Sequence, residues 1–173
     1  MIKAVKIFCY TWAMIIIALF CFTKAGFRLS LGTSTDAGIY WVKKVDHEKD
    51  KPELGAKYIV NWTWDKEGLR RGLHSRKMPM IKEVGGLPGD AVWSRFNGQV
   101  YVNNNPVPGC VIAWNQITQK SLPVATPFEV GPDEVCLVSH SLAGWDSRYF
   151  GPVPWSELTH RAYPVFIWRK VEN

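Results

Sequence analysis

The chain opens with an unbroken apolar stretch and then changes to short, interrupted runs, and this change of pattern divides it in two. Ile7 to Phe22 form 16 consecutive residues without a charge, bracketed by Lys3 and Lys6 before and by Lys24 and Arg28 after. As a helix this stretch spans about 24 Å at about 1.5 Å per residue, a little short of the roughly 30 Å hydrocarbon core of a bilayer. Snorkelling of Lys6 and Lys24 toward the headgroups supplies the difference. A cleavable signal peptide is the competing reading, but no clean small-x-small site precedes Lys24-Ala25-Gly26, so an uncleaved signal anchor over residues 1–25 is expected. The basic N-terminus favours an N-in orientation with the body exported, and Lys24 and Arg28 on the far side weigh against it.

From Gly26 onward no long stretch keeps a helical period, whereas β-branched and aromatic runs recur between Gly, Pro and Asn clusters. This pattern predicts a mainly β body over residues 26–173. The expected strands are Ile39 to Lys44, Tyr58 to Trp62, Met80 to Gly85, Ala91 to Phe96, Gln99 to Val102, Phe128 to Val130, Glu134 to Ser139 and Ala162 to Arg169. Asn97-Gly98 reads as the turn of a hairpin between two of them. The cluster Asn103-Asn104-Asn105-Pro106 reads as the end of the second, and Pro123, Pro127 and Pro132 punctuate a looser insertion. Trp155 to Thr159 is expected to form one short helical turn. There is no internal repeat, low-complexity tract or domain linker.

Composition narrows the classes. At 173 residues, 47% apolar and 21% charged, the chain suffices for one well-buried domain and hardly for two, and it is not disordered. Its 21 Lys and Arg against 15 Asp and Glu give a net charge of +6, suited to lipid headgroups or nucleic acid. Five of the basic side chains fall in residues 66–77, but no helix or RNA-binding pattern accompanies them. A solvated loop, or a patch facing lipid or a partner, is therefore expected, and no nucleic-acid partner. Asn61-Trp62-Thr63 matches a glycosylation acceptor, a match common by chance. Of nine tryptophans, several are expected in the core and others at a membrane interface. Cys9 and Cys21 lie in the apolar stretch, Cys110 and Cys136 in the body. In an oxidising space a disulfide between Cys110 and Cys136 is allowed, and two separate buried thiols are the alternative.

His47, His74, His140 and His160 lie in unrelated contexts, and there is no CxxC, no HExxH and no phosphate loop, so neither a metal nor a cofactor is expected. No spacing singles out a Ser/His/Asp triad. Three segments carry more. Gly32-Thr33-Ser34-Thr35-Asp36-Ala37-Gly38-Ile39-Tyr40 places a serine on a small, turn-prone stretch 12 residues beyond Phe22. In Met80-Ile81-Lys82-Glu83-Val84-Gly85-Gly86-Leu87-Pro88-Gly89-Asp90, strand alternation puts Lys82 on one face with Met80 and Val84, where an apolar setting lowers an amine pKa. Gly144-Trp145-Asp146-Ser147-Arg148-Tyr149-Phe150-Gly151-Pro152-Val153 offers an Asp and an Arg that can pair.

Taken in this order, the three segments resemble the signal peptidase I superfamily, and most closely its TraF-type conjugal transfer peptidases. The resemblance runs from Ser34 to Ala162-Tyr163-Pro164-Val165. It implies a signal peptidase/LexA-like β fold, Ser34 as nucleophile, Lys82 as general base, and Asp146 with Arg148 as an ion pair bracing the site. No histidine is then required, because a neutral amine can take the serine proton. Three positions depart from the family pattern. Asp36 stands where proline is common and brings a negative charge near the site. Gly32 replaces a hydroxyl that helps hold the oxyanion, which shifts that task to the Ser34 backbone NH. Gly144 replaces a serine that orients the lysine, and Ser141 or Ser139 is the candidate substitute.

The resemblance implies a membrane-anchored serine endopeptidase in the bacterial inner membrane, its body in the periplasm, maturing a pre-pilin or other exported protein for conjugative transfer by hydrolysis or cyclisation. Its partners would be that substrate and the lipid bilayer. A catalytically inactive assembly factor with the same fold and a general signal peptidase I are the alternatives.

Overall fold

The structure is a computed structural model that describes residues 2–32, 34–60, 79–112, 114–115, 120–121, 126–142 and 144–171. The acceptor at Asn61 and the basic run 66–77 lie outside the described residues.

Helix α1 (Ile2–Lys24) takes in the flanking lysines and so runs 23 residues, about 35 Å at about 1.5 Å per residue. This exceeds the length expected from the uncharged stretch alone. Val5–Lys24 has a mean hydropathy of 2.1 and packs none of its surface inside the protein, so it is long and apolar enough to cross a membrane. Gly26, at φ +87°, ends the helix, and Phe22 stacks on Phe27 at 4.9 Å between ring centroids to fix the exit.

The body is β structure. A seven-stranded antiparallel sheet contains β1 (Phe27–Ser30), β2 (Ala37–Lys44), β3 (Lys57–Val60), β4 (Met80–Gly86), β11 (Glu134–Val138), β12 (Val153–Pro154) and β13 (Leu158–Arg169). Their order is β1-β2-β13-β3-β4-β11-β12. A four-stranded sheet contains β5 (Ala91–Ser94), β6 (Gln99–Val102), β7 (Asn105–Val111) and β10 (Phe128–Glu129), in the order β10-β5-β6-β7. A two-stranded ribbon pairs β8 (Trp114–Asn115) with β9 (Lys120–Ser121). Helix α2 (Ser147–Phe150) is a single turn.

Strand β11 joins the two sheets. Val135 and Leu137 enter one apolar cluster with Tyr58, Val60, Val84 and Leu158, while Cys136 and Val138 enter another with Val92, Val100, Val102, Cys110 and Val130. Successive side chains point to opposite faces, so a strand packed on both sides must read as a continuous apolar run, as Val-Cys-Leu-Val does.

The hairpin at Asn97-Gly98 forms as expected, with Gly98 at φ +82° and its N–H on the Arg95 carbonyl at 2.9 Å. The asparagine cluster ends β6 at Val102 as expected, and a further strand follows it. Asn103 and Asn104 take φ of +48° and +67° and turn the chain into β7, which tolerates Pro106 and Pro108 because it lies at the edge. The helical turn after Pro154 is shorter than expected, Trp155–Glu157, and β13 already begins at Leu158.

The run after Lys82 is a stop for β4. Gly89 adopts φ +87°, and Asp90 Oδ2 accepts the Leu87 N–H at 2.7 Å. Gly85 lies flat against Val138, whose Cγ1 would sit 2.4 Å from an added Cβ. We expect Gly85→Ala to destabilise the protein by about 1–3 kcal/mol through overpacking, read by denaturant unfolding; an unchanged midpoint would show that Val138 can give way.

Candidate active site

Ser34 lies in the short connection between β1 and β2, and the neighbouring Thr35 Oγ1 donates to the Ile81 carbonyl at 2.7 Å, pinning that connection to β4. Lys82 is the third residue of β4 and is 1% exposed. Its Nζ lies 3.3 Å from Ser34 Oγ. Two residues 48 positions apart are thus joined by one loop-to-strand contact. Lys82 pairs in register with Tyr58 and shares the buried face with Val84, as alternation requires.

Desolvation dominates the electrostatics of the amine. Burial lowers the Lys82 pKa from 10.5 to about 8; Asp146 pulls it back up, Arg148 pushes it down, and Cys110 contributes a small upward effect. The two charges that act on Lys82 are therefore largely tied to each other. Arg148 Nη2 and Nε donate to Asp146 Oδ2 and Oδ1 at 2.7 and 2.8 Å, and both side chains are fully buried. Each residue of Asp146-Ser147-Arg148 has a task. Asp146 also caps α2 by accepting the Arg148 N–H at 3.1 Å. Ser147 Oγ accepts the Leu137 N–H at 2.8 Å and so holds β11. Arg148 donates to the carbonyls of Ser139 (3.1 Å), Ser141 (2.9 Å) and Val111.

The departures noted in the sequence find physical accounts. Asp36 faces away from Lys82: its Oδ1 accepts the Val171 N–H at 2.9 Å and its Oδ2 lies 3.7 Å from Lys57 Nζ. Its charge is not among those acting on Lys82. At Gly32 a Cβ would meet nothing within 4 Å, so the position is open. At Gly144 a Cβ would fall 2.4 Å from both Cβ and Oγ of Ser139, which fills that space. The Ser139 hydroxyl donates to the backbone carbonyl of Ser34, and Ser141 meets Arg148 through its own carbonyl.

The allowed disulfide is not present. Cys110 and Cys136 are free thiols, each 1% exposed, packed among valines of one cluster. Burial, with Asp146 adding to it, pushes the Cys110 thiol up to about 12 and raises Cys136 still more strongly, and the thiolate that forms disulfides is thereby suppressed.

A cleft of about 240 Å³ opens beside Ser34, lined also by Lys57, Glu83, Ser139, His140 and Lys170. Sequence reasoning missed this polar wall. Glu83, out of phase with Lys82, takes Lys57 Nζ at 3.2 Å and His140 Nε2 at 3.2 Å, while His140 Nδ1 meets the Pro108 carbonyl at 2.7 Å. Both imidazole nitrogens face acceptors, which favours the doubly protonated ring. The Glu83 bond accordingly raises the His140 pKa against the opposing effect of burial. The one legible signal was the alternation that turns Glu83 away from Lys82. Among the described residues no cluster of ligands suits a metal ion.

Residues 1–168 match the family described as Signal peptidase, peptidase S26. The chain belongs to the signal peptidase family. Its relatives include conjugal transfer protein TraF of Agrobacterium tumefaciens, 37% identical over 57% of this chain and 55% of that protein. The match therefore spans little more than half of that relative's length. Conjugal transfer protein TraF of Agrobacterium fabrum is 27% identical over 82% of both chains. A crystal structure of a signal peptidase I from Enterococcus faecalis aligns with 63% of this chain and 94% of its own, at 18% identity and a TM-score of 0.39.

Two stability outcomes follow from this geometry. Asp146→Ala or Arg148→Ala strands a buried partner charge and is expected to cost about 3–5 kcal/mol in denaturant unfolding. Lys82→Met removes the burial penalty of the amine. Between the folded pKa of about 8 and an unfolded value of about 10.4, the unfolded chain binds more protons, so the stability supplied by Lys82 grows with pH and is lost as pH falls through 8. The advantage of Lys82→Met over the parent should be constant below pH 8 and shrink above it. A pH-independent difference would show that the amine is not desolvated.

Proposed function

We propose that this chain is a membrane-anchored serine endopeptidase that matures a pre-pilin or similar exported protein for conjugative transfer, with Ser34 as nucleophile and Lys82 as general base. One observation carries the reading: a buried lysine amine of lowered pKa stands within reach of a serine hydroxyl on the wall of an open cleft. The names of the relatives supply conjugation, and the family supplies peptide-bond chemistry. With α1 in the inner membrane and the body in the periplasm, the nucleophile is held near the bilayer surface, where an exported substrate emerges.

In this mechanism the neutral Lys82 amine removes the Ser34 proton as Oγ attacks the scissile carbonyl. The resulting ammonium returns that proton to the leaving amine as the C–N bond breaks, leaving an acyl-enzyme and a neutral lysine. Lys82 then deprotonates the acceptor, which is water in hydrolysis or an amine of the substrate in cyclisation, and Ser34 recovers its proton. The mass of the product distinguishes the two acceptors by one water.

Co-expression with candidate pre-pilins, read by product mass, tests the reading. Ser34→Ala should abolish processing while the protein still folds, because it lacks Oγ, and Lys82→Arg should abolish it because a guanidinium stays protonated. Activity of the parent should rise with pH through about 8. Processing that survives Ser34→Ala would sink the nucleophile assignment. A parent that leaves every pre-pilin unchanged would point to a non-enzymatic assembly factor.

A further inference from the structure

Ser139 is 2% exposed, and it connects two parts of the site that otherwise stand apart. Its hydroxyl donates to the Ser34 carbonyl, and its own carbonyl accepts from Arg148 Nη2 at 3.1 Å. Arg148 is in turn fixed by two bonds to the buried Asp146 carboxylate. A continuous chain of hydrogen bonds therefore runs from the ion pair through Ser139 to the peptide that bears the nucleophile. Beside it, a Cβ at Gly144 would lie 2.4 Å from Cβ and Oγ of Ser139 and 2.7 Å from Arg148 Nη2. Real side chains do not approach so closely, so only one of positions 139 and 144 can carry a side chain in this space.

We propose that Ser139 is a positioning residue that fixes the Ser34 peptide from the Asp146–Arg148 pair, and that Gly144 is glycine because the Ser139 side chain and the Arg148 guanidinium together occupy its side-chain volume. The inference rests on the Ser34/Lys82 reading for its kinetic consequence and on geometry alone for the contact. The Lys82–Ser34 bond, at 3.3 Å, is long for a hydrogen bond that must pass a proton, and a nucleophile on a connecting segment needs a second tether to hold that distance. Displacement of a reacting group by about 1 Å is enough to cost roughly 100-fold in rate.

The test uses the full chain in three forms: parent, Ser139→Ala and Gly144→Ser. On the pre-pilin that the parent processes, Ser139→Ala should lower kcat by about 10- to 100-fold with KM within about twofold and the pH midpoint unmoved. Gly144→Ser crowds the site and should melt lower than the parent. A readout without substrate accompanies these: the carbonyl carbon resonance of Ser34 in selectively labelled protein should shift upfield in Ser139→Ala. Parental kcat in Ser139→Ala, or a Gly144→Ser protein that melts like the parent, overturns the proposal. If the parent processes nothing, the catalytic reading falls, and the Ser34 resonance alone decides the contact: a shift supports it, an unmoved resonance overturns it.

Discussion

A lysine amine kept dry is the constraint on which the rest of the structure depends. An ammonium in an apolar interior is costly, and a carboxylate placed directly beside it would relieve that cost by holding the proton. The fold supplies Asp146 in the neighbourhood but binds it to Arg148, so the two charges oppose each other at Lys82 and desolvation prevails. With a folded pKa of about 8, roughly a tenth of the lysines are neutral at pH 7. An amine poised in this way changes charge just above neutral pH.

Strand alternation keeps this arrangement clean. Lys82 and Glu83 are adjacent in sequence, yet one faces the packed interior and the other a polar cleft where it meets Lys57 and His140. One thickness of β4 separates a dry base from a charged wall. The same rule lets β11 serve two clusters at once, and the end of that strand delivers Ser139 to the site.

Much of this was legible in the sequence. The shift from an apolar run to short strands gave the helix and most strands, because both periodicities report burial directly. The Gly-Leu-Pro-Gly-Asp run could be read because each residue serves a turn that few others can make. Other features left no such trace. Phe27–Ser30 is a strand because β2 lies beside it, and four residues with no preceding turn signal do not announce a pairing made later in the chain. The asparagine cluster was legible as the end of β6, but the strand β7 that follows the turn was not. The state of Cys110 and Cys136 depends on packing. Asp36 looked like a hazard to the base because sequence distance cannot tell where a carboxylate points, and its partners, Lys57 and Val171, come from β3 and the chain's far end.

The shared volume at positions 139 and 144 also shapes the routes by which such a sequence can change. A side chain at one position excludes a side chain at the other, so a hydroxyl cannot pass between them by single neutral steps. One order of substitution crosses a form with neither hydroxyl, and the other crosses a form with two groups in one space. A side chain can enter position 144 only after position 139 has given up its Cβ as well as its hydroxyl, because each lies 2.4 Å from the incoming atom. Grafting a side chain onto position 144 without emptying position 139 would therefore fail, however small the side chain.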